Sequence, residues 1–358
     1  MPSTALNAET GSPGDWPPLE APILPEPGGD VVYLPAAAGR PITAKPSGPL
    51  VDQPRDLVFN PRPRRIRRPL ILFLLTCLST WFAGAAYWVP VEYIAMCVQE
   101  LSLDPLRRTI YTHGLDGFVF MVCVISILLA HEMGHFVFTV IYGVRSSFPY
   151  FLPMPIAPVG TMGAVIAMDG RNANRREIFD IGIAGPLAGL VIAAPIMLLG
   201  VLQLNLQRPA SGGMGLYLPW AAQWCVAWLH PGQPVEDNVV WLSQANPCFI
   251  AGWFGLLMTA LNMMPVSQLD GGHIAYTLFG KLAHWLARGL MVFIIAYITY
   301  TGSTVGILMV VMVLAIGTDH PPTSDDRVPL GPVRWLLGLL SFAIPILCFH
   351  PRVFLLPN

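Results

Sequence analysis

Two histidines stand four residues apart with an acid beside the first, in the run His131-Glu132-Met133-Gly134-His135. In a helix, residues four apart lie one above the other on the same face, so both imidazoles can reach one metal ion with Glu132 turned beside it. Zinc takes such nitrogen ligands at about 2.0–2.1 Å, and a catalytic site keeps one position open for water. The adjacent carboxylate can then activate that zinc-bound water by taking its proton, and pass the proton to a leaving amine. A motif this short arises by chance, but here it sits within an apolar run from Phe118 to about Val144. An acid inside a membrane span carries an insertion penalty of about 3 kcal/mol, and such residues are by default functional. The competing reading is a trio of polar side chains satisfied by hydrogen bonds in a bundle core.

A catalytic metal needs a third protein ligand. After His135 the acids before residue 300 are Asp169, Glu177, Asp180, Glu236, Asp237 and Asp270. Glu236 and Asp237 fall in an outer loop. The other four share the inner side with the histidines, so depth alone leaves all of them open. Asp270 is favoured by its setting: Pro265 ends the helix before it, Gly271 and Gly272 let backbone approach closely, and the flanks are apolar. Capping the following helix is a competing use of Asp270 that does not exclude ligation. His273 reads as a second-layer or structural residue, since two histidines and an aspartate already leave the one open position required.

The elements that must hold these residues are membrane spans. The 358 residues are 54% hydrophobic and 11% charged, with a mean hydropathy of +0.57, against about 25% charged in soluble domains. A net charge of −1 gives no basic excess, and nucleic-acid binding is set aside. Residues 1–61 are rich in Pro, Gly, Ala and Ser and read as a disordered tail, with neither a secretory signal nor a transit peptide. The cluster Arg62, Arg64, Arg65, Arg67 and Arg68 precedes the uncharged run Pro69 to Val91, which places the tail in the cytoplasm. Further runs are Phe118–Val144, Ile181–Gln207 with Asp180 as N-cap, Pro247–Met264, a hairpin of two short helices within Gly289–Thr318, and Val333–Phe349.

Four prolines between 149 and 158 forbid a helix there, and Thr161–Met168 is short, apolar and β-compatible. A strand cannot face lipid, so this segment must be a re-entrant element shielded by protein or lining a wet cavity. Gly185 and Gly189 permit close helix contact, and Trp220, Trp224 and Trp228 make one stripe of a short helix along the outer interface. The expected fold is an all-α polytopic membrane protein with about six or seven transmembrane helices and a short re-entrant β element near the active site. Its domain runs from 62 to 350, with a catalytic core at about 117–286 and a short tail at 351–358. The six cysteines contain no CxxC and read as small buried hydrophobes, with a disulfide among Cys97, Cys225 and Cys248 as an alternative.

At these residues the sequence resembles the site-2 protease family of intramembrane zinc metalloproteases. His131 through His135 matches the two zinc-binding histidines and the catalytic glutamate of that family, and Asn262 through Asp270-Gly271-Gly272 matches the element whose aspartate is the third ligand. Pro153–Ala164 looks like the family's re-entrant β-element, Phe179–Pro186 like the start of the helix after it, and His320-Pro-Pro through Pro351 like the ending of bacterial members. The resemblance implies one zinc ion per chain on His131, His135 and Asp270, with Glu132 as the catalytic base. It also implies cleavage of transmembrane-helix protein substrates within the lipid bilayer, in a bacterial inner membrane with the site toward the cytoplasm. A helix hides its scissile carbonyls in hydrogen bonds, so it must unwind. Gly160, Thr161, Gly163 and the strand after them could hold the unwound segment by β-addition, and Asn262 could bind substrate backbone or polarise the carbonyl. The loop from Arg208 to Asn246 is too short for a PDZ-like domain and no CBS pair follows the last span, which suggests a minimal form. Two other functions compete: a membrane metal transporter or sensor using the same cluster, and an inactive protease-like scaffold.

Overall fold

A computed structural model of the chain describes residues 31–32, 42–43, 66–209, 214–233, 235–301, 310, 317 and 320–355. Of the N-terminal tail this includes only Val31–Val32 (β1) and Ile42–Thr43 (β2), an antiparallel pair. The remainder of the expected disordered tail, with Arg62, Arg64 and Arg65, lies outside the described residues.

The other unit is mostly helical. In order it contains α1 (Arg67–Ala85), α2 (Pro90–Glu100), α3 (Asp104–Ile141), strands β3 (Tyr150–Pro153) and β4 (Thr161–Val165), and α4 (Arg175–Leu202). Then come β5 (Gly215–Tyr217), α5 (Trp220–Leu229), β6 (Val239–Trp241), α6 (Pro247–Asn262), α7 (Asp270–Phe279), α8 (Leu282–Thr301), α9 (Pro332–Ser341), α10 (Ala343–Cys348) and β7 (Phe354–Leu355). Among the described residues α1, α3, α4 and α8 are long and apolar enough to cross a membrane. Large apolar side chains cover their outer faces: Leu74, Leu78, Val191, Val292 and Phe293 are all exposed. Apolar surface on this scale needs a non-aqueous neighbour.

Several boundaries differ from the sequence expectation, each for a local reason. The first helix stops at Ala85 rather than Val91 because Tyr87 and Trp88 take left-handed backbone, φ 48° and 61°. Helix α3 begins at Asp104, well before Phe118, with Pro105 at its first turn and an acid at the positive end of its dipole. Its 38 residues span about 57 Å. Asp180 is not the N-cap of α4. That role falls to Asn174, whose side chain accepts from the Arg176 and Glu177 backbone N–H groups while Glu177 reaches back to the Asn174 N–H. The Asp180 carboxylate instead accepts from Arg334 Nε and Nη2, both at 2.8 Å, and from the Tyr142 hydroxyl.

Helix α8 runs unbroken through Arg288 and Gly289 to Thr301, since one glycine costs a helix only about 1 kcal/mol. The expected second limb of the hairpin lies almost wholly outside the described residues. The expected last span divides at Phe342, where the Pro345 ring excludes the hydrogen bond to Ser341.

Helices α3, α4 and α6 pack against one another at the centre, with α1 against α3. Gly252 lets α6 meet α4 backbone to backbone, since a Cβ there would stand 2.6 Å from the Met197 Cα. Strands β3 and β4 form an antiparallel hairpin, Tyr150 opposite Val165, fastened to α1 by Ser79, whose hydroxyl donates to the Gly160 carbonyl at 2.7 Å. A three-stranded sheet in the order β6-β5-β7 lies elsewhere and joins residues near 215, 240 and 354.

Candidate metal centre

Two helices and a tight turn build the centre. On α3, His131 and His135 project from consecutive turns, as the four-residue spacing requires. Asp270 is the first residue of α7, reached through the turn Met263–Leu269 that leaves α6. That turn folds directly over the helix start: a Cβ on Gly271 would strike the Met263 carbonyl, and one on Gly272 the Ser267 carbonyl. Only glycine fits at either place, which is how Asp270 is delivered to the histidines. The N-cap of α7 is Leu269, so the Asp270 carboxylate is not consumed in capping.

The donor atoms converge. His131 Nε2 lies 3.1 Å from Asp270 Oδ2, His135 Nε2 lies 3.3 Å from Asp270 Oδ1, and the two Nε2 atoms are 3.2 Å apart. A tetrahedral ion about 2.05 Å from each ligand would set them about 3.3 Å from one another. The spacing therefore suits one small cation, and the two-nitrogen, one-carboxylate set is a zinc set. His135 Nδ1–H donates to the Ile181 carbonyl at 2.7 Å, which leaves Nε2 with its lone pair toward the centre. Glu132, buried like His131, follows directly in the chain. Asn262, the last residue of α6, brings its Nδ2 to 3.3 Å from His131 Nε2.

Helix α4 presses its small residues on this group. A methyl at Gly185 would overlap the His135 ring, and one at Gly189 would lie 3.2 Å from His131 Nδ1. The sequence marked both glycines as helix contacts; what they meet is imidazole. The Ile181 carbonyl that orients His135 carries no signal in a sequence, because any residue type presents it. His273 stays out of the donor group: its Nδ1–H donates to His320 Nε2 at 2.6 Å, and His320 Nδ1–H donates to the Pro321 carbonyl at 2.5 Å.

The three residues expected to hold substrate are engaged by the hairpin itself and by the helices beside it. Gly160 has φ 78° and no room for a Cβ beside the Ser79 carbonyl. The Thr161 hydroxyl donates to the Leu152 carbonyl at 2.9 Å and accepts from the Gly163 N–H at 3.0 Å. Gly163, φ 103°, faces Met258 of α6. Beyond them β4 pairs only with β3 among the described residues, with Met162 and Val165 exposed. The cysteines depart from expectation in burial alone: all six are free, but only Cys348 is buried and the other five are partly exposed.

Comparison with known proteins gives the same bearing as this geometry. Residues 119–301 match the model of peptidase family M50, a stretch that contains every residue of the donor group. The chain is 28% identical over 79% of its length to a "Probable zinc metalloprotease EGY1, chloroplastic" of Arabidopsis thaliana. It is 29% identical over 58% of its length to an EGY2 protein, likewise named probable and chloroplastic, of Oryza sativa subsp. indica, and 26% identical over 66% to the Arabidopsis EGY2. It spans about half of the first relative and 38% and 41% of the other two. With half the chain matched, and the HExxH helix and Asp270 turn inside the match, the chain belongs to peptidase family M50, the site-2 protease family.

Proposed function

We propose that the chain is a zinc-dependent endopeptidase that hydrolyses peptide bonds in or near transmembrane segments of other proteins. The observation that carries this is the convergence of the His131 and His135 Nε2 atoms, 3.2 Å apart, on the two carboxylate oxygens of Asp270 at 3.1 and 3.3 Å, with Glu132 beside them in an apolar helix. Bound there, zinc would supply a Lewis acid for the scissile carbonyl and the attacking water. Glu132 takes the water's proton and returns it to the departing amine. The Ile181 carbonyl holds the His135 ring in its tautomer. With the His131 lone pair engaged, Asn262 Nδ2 is free to donate to a substrate carbonyl oxygen.

The edge of β4 that is unpaired among the described residues supports β-addition of an unwound substrate segment, with the backbone beyond Gly163 donating and accepting and the Gly160 and Thr161 contacts keeping the hairpin rigid. The arginines around the start of α1 support a cytoplasmic side for that end, and the exposed Trp220, Trp224 and Trp228 of α5 support an opposite face at the headgroup level. Purified chain with bound zinc should cut a transmembrane reporter in detergent or vesicles. Glu132→Gln should keep the zinc and lose cleavage by about 100-fold or more. Full cleavage by that variant would sink the mechanism, and zinc uptake into vesicles by the wild-type chain would favour a transporter.

A further inference from the structure

Among the described residues, one pair of side chains outside the metal centre is placed for covalent chemistry. Cys123 of α3 and Cys248 at the start of α6 have their sulfurs 4.0 Å apart, 125 residues apart in sequence. Both are partly exposed. The backbone on each side is fixed. Asn246 caps α6 by accepting from the Phe249 N–H and donating to the Gly200 carbonyl. Gly200 lies so close to Cys248 and Phe249 that no Cβ would fit. Cys123 is within a continuous helix. Rotation about the two Cα–Cβ bonds therefore has to close only about 2 Å to reach a disulfide's S–S length.

We propose that Cys123 and Cys248 form a reversible disulfide that clamps α3 to α6. The oxidant is a small organic disulfide. One cysteine thiolate displaces half of it, giving a mixed disulfide and one free small thiol. The other cysteine then attacks the mixed disulfide, the protein S–S bond forms, and a second small thiol leaves. Two protein S–H bonds and one S–S bond are exchanged for one S–S bond and two new S–H bonds. The clamp sits eight residues, about 12 Å of helix rise, before His131. It joins the helix carrying both histidines to the helix that leads into the Asp270 turn. It needs neither a bound metal nor protease activity, so it stands apart from the proposed function.

Full-length protein in membranes is treated with dithiodipyridine, solubilised without reductant, digested and read by mass spectrometry. A linked peptide should join Cys123 to Cys248 with no thiopyridyl group on either, whereas isolated cysteines that react keep that adduct, and a reducing thiol should restore both thiols. The unfolding midpoint should rise on oxidation and fall back on reduction, with no such cycle in Cys123→Ser or Cys248→Ser. Thiopyridyl adducts that persist on both Cys123 and Cys248, two unreacted thiols there, or a linkage between other cysteines overturns the assignment. A Cys123–Cys248 bond that leaves the midpoint unmoved overturns the clamp.

Discussion

Adding one methyl group to α4 should dismantle a metal centre whose ligands all lie on other elements. In Gly185→Ala the new Cβ would stand 2.5 Å from His135 Cδ2 and closer still to Nε2. Ordinary contact begins near 3.4 Å, so the ring must retreat by about 1 Å, whereas a metal ligand tolerates about 0.2 Å. The ring cannot slide freely either, because Nδ1 is tied to the Ile181 carbonyl one turn earlier on the same helix. The expected effect is a loss of at least ~100-fold in zinc affinity, about 2.7 kcal/mol. Alanine is the better helix former by about 1 kcal/mol, so weaker helix formation cannot be the cause.

Gly189→Ala is the internal comparison. Its Cβ would meet His131 Nδ1 at 3.2 Å, which a few tenths of an ångström relieves, and the loss should stay within ~10-fold. Competition with a chromophoric chelator in detergent measures both, with far-ultraviolet circular dichroism to show that each variant is folded. Wild-type affinity in Gly185→Ala would refute the reasoning, since His135 would then not be a ligand in this position. Equal losses in the two variants would point to helix packing in general rather than to the His135 contact.

Other outcomes follow from the same coordinates. Asp270→Asn keeps the shape of the side chain but removes the charge, and should lower zinc affinity by ~100-fold or more on the same titration. Arg334→Gln strands the largely buried Asp180 carboxylate, and with Arg334 itself 34% exposed the loss should be at the lower end of buried pairs, about 1–3 kcal/mol, read as a drop of several degrees in the unfolding midpoint. Burial, with a neighbouring His273, pushes the His320 imidazole down to about 3. The unfolded chain therefore binds this proton first as pH falls, so stability should decline from about pH 6.5 towards pH 3. His320→Gln should flatten that decline in midpoints measured across the range; an unchanged slope would show that other groups set it.

What could be read in the sequence was the chemistry whose partners are close in the chain. The i, i+4 histidines, the Pro265 break and the Gly271-Gly272 pair each act within a turn or two, and the structure places them as their types demand. Strand β4 was legible, as part of the longer segment Thr161–Met168, because it is short and apolar after a run of prolines, but its partner β3 inside that run was not. Less legible was whatever depends on a distant partner. Asp180 looked like an N-cap because the strong apolar run starts after it; its actual partner, Arg334, is 154 residues away. The start of α3 was missed because Asp116, with His113, Arg108, Arg107 and Asp104 before it, bounds the apolar run, although a helix can extend past its apolar stretch. The sheet of β5, β6 and β7 consists of strands of two or three residues, too short for any alternation to show.

That small sheet also bears on how the molecule is made. Its middle strand, β5, leaves the ribosome about 140 residues before β7, the edge strand it pairs with. The His320 loop is likewise late, and it docks on His273 and on the Ala173 carbonyl through Ser324. Two separate contacts of the helical unit thus wait for the same late-arriving stretch of chain. During synthesis the metal-binding helices can be complete while these late contacts are still open. A premature stop or a bulky fusion after residue 350 should therefore act as an assembly defect, felt as turnover of the nascent protein rather than as loss of a ligand.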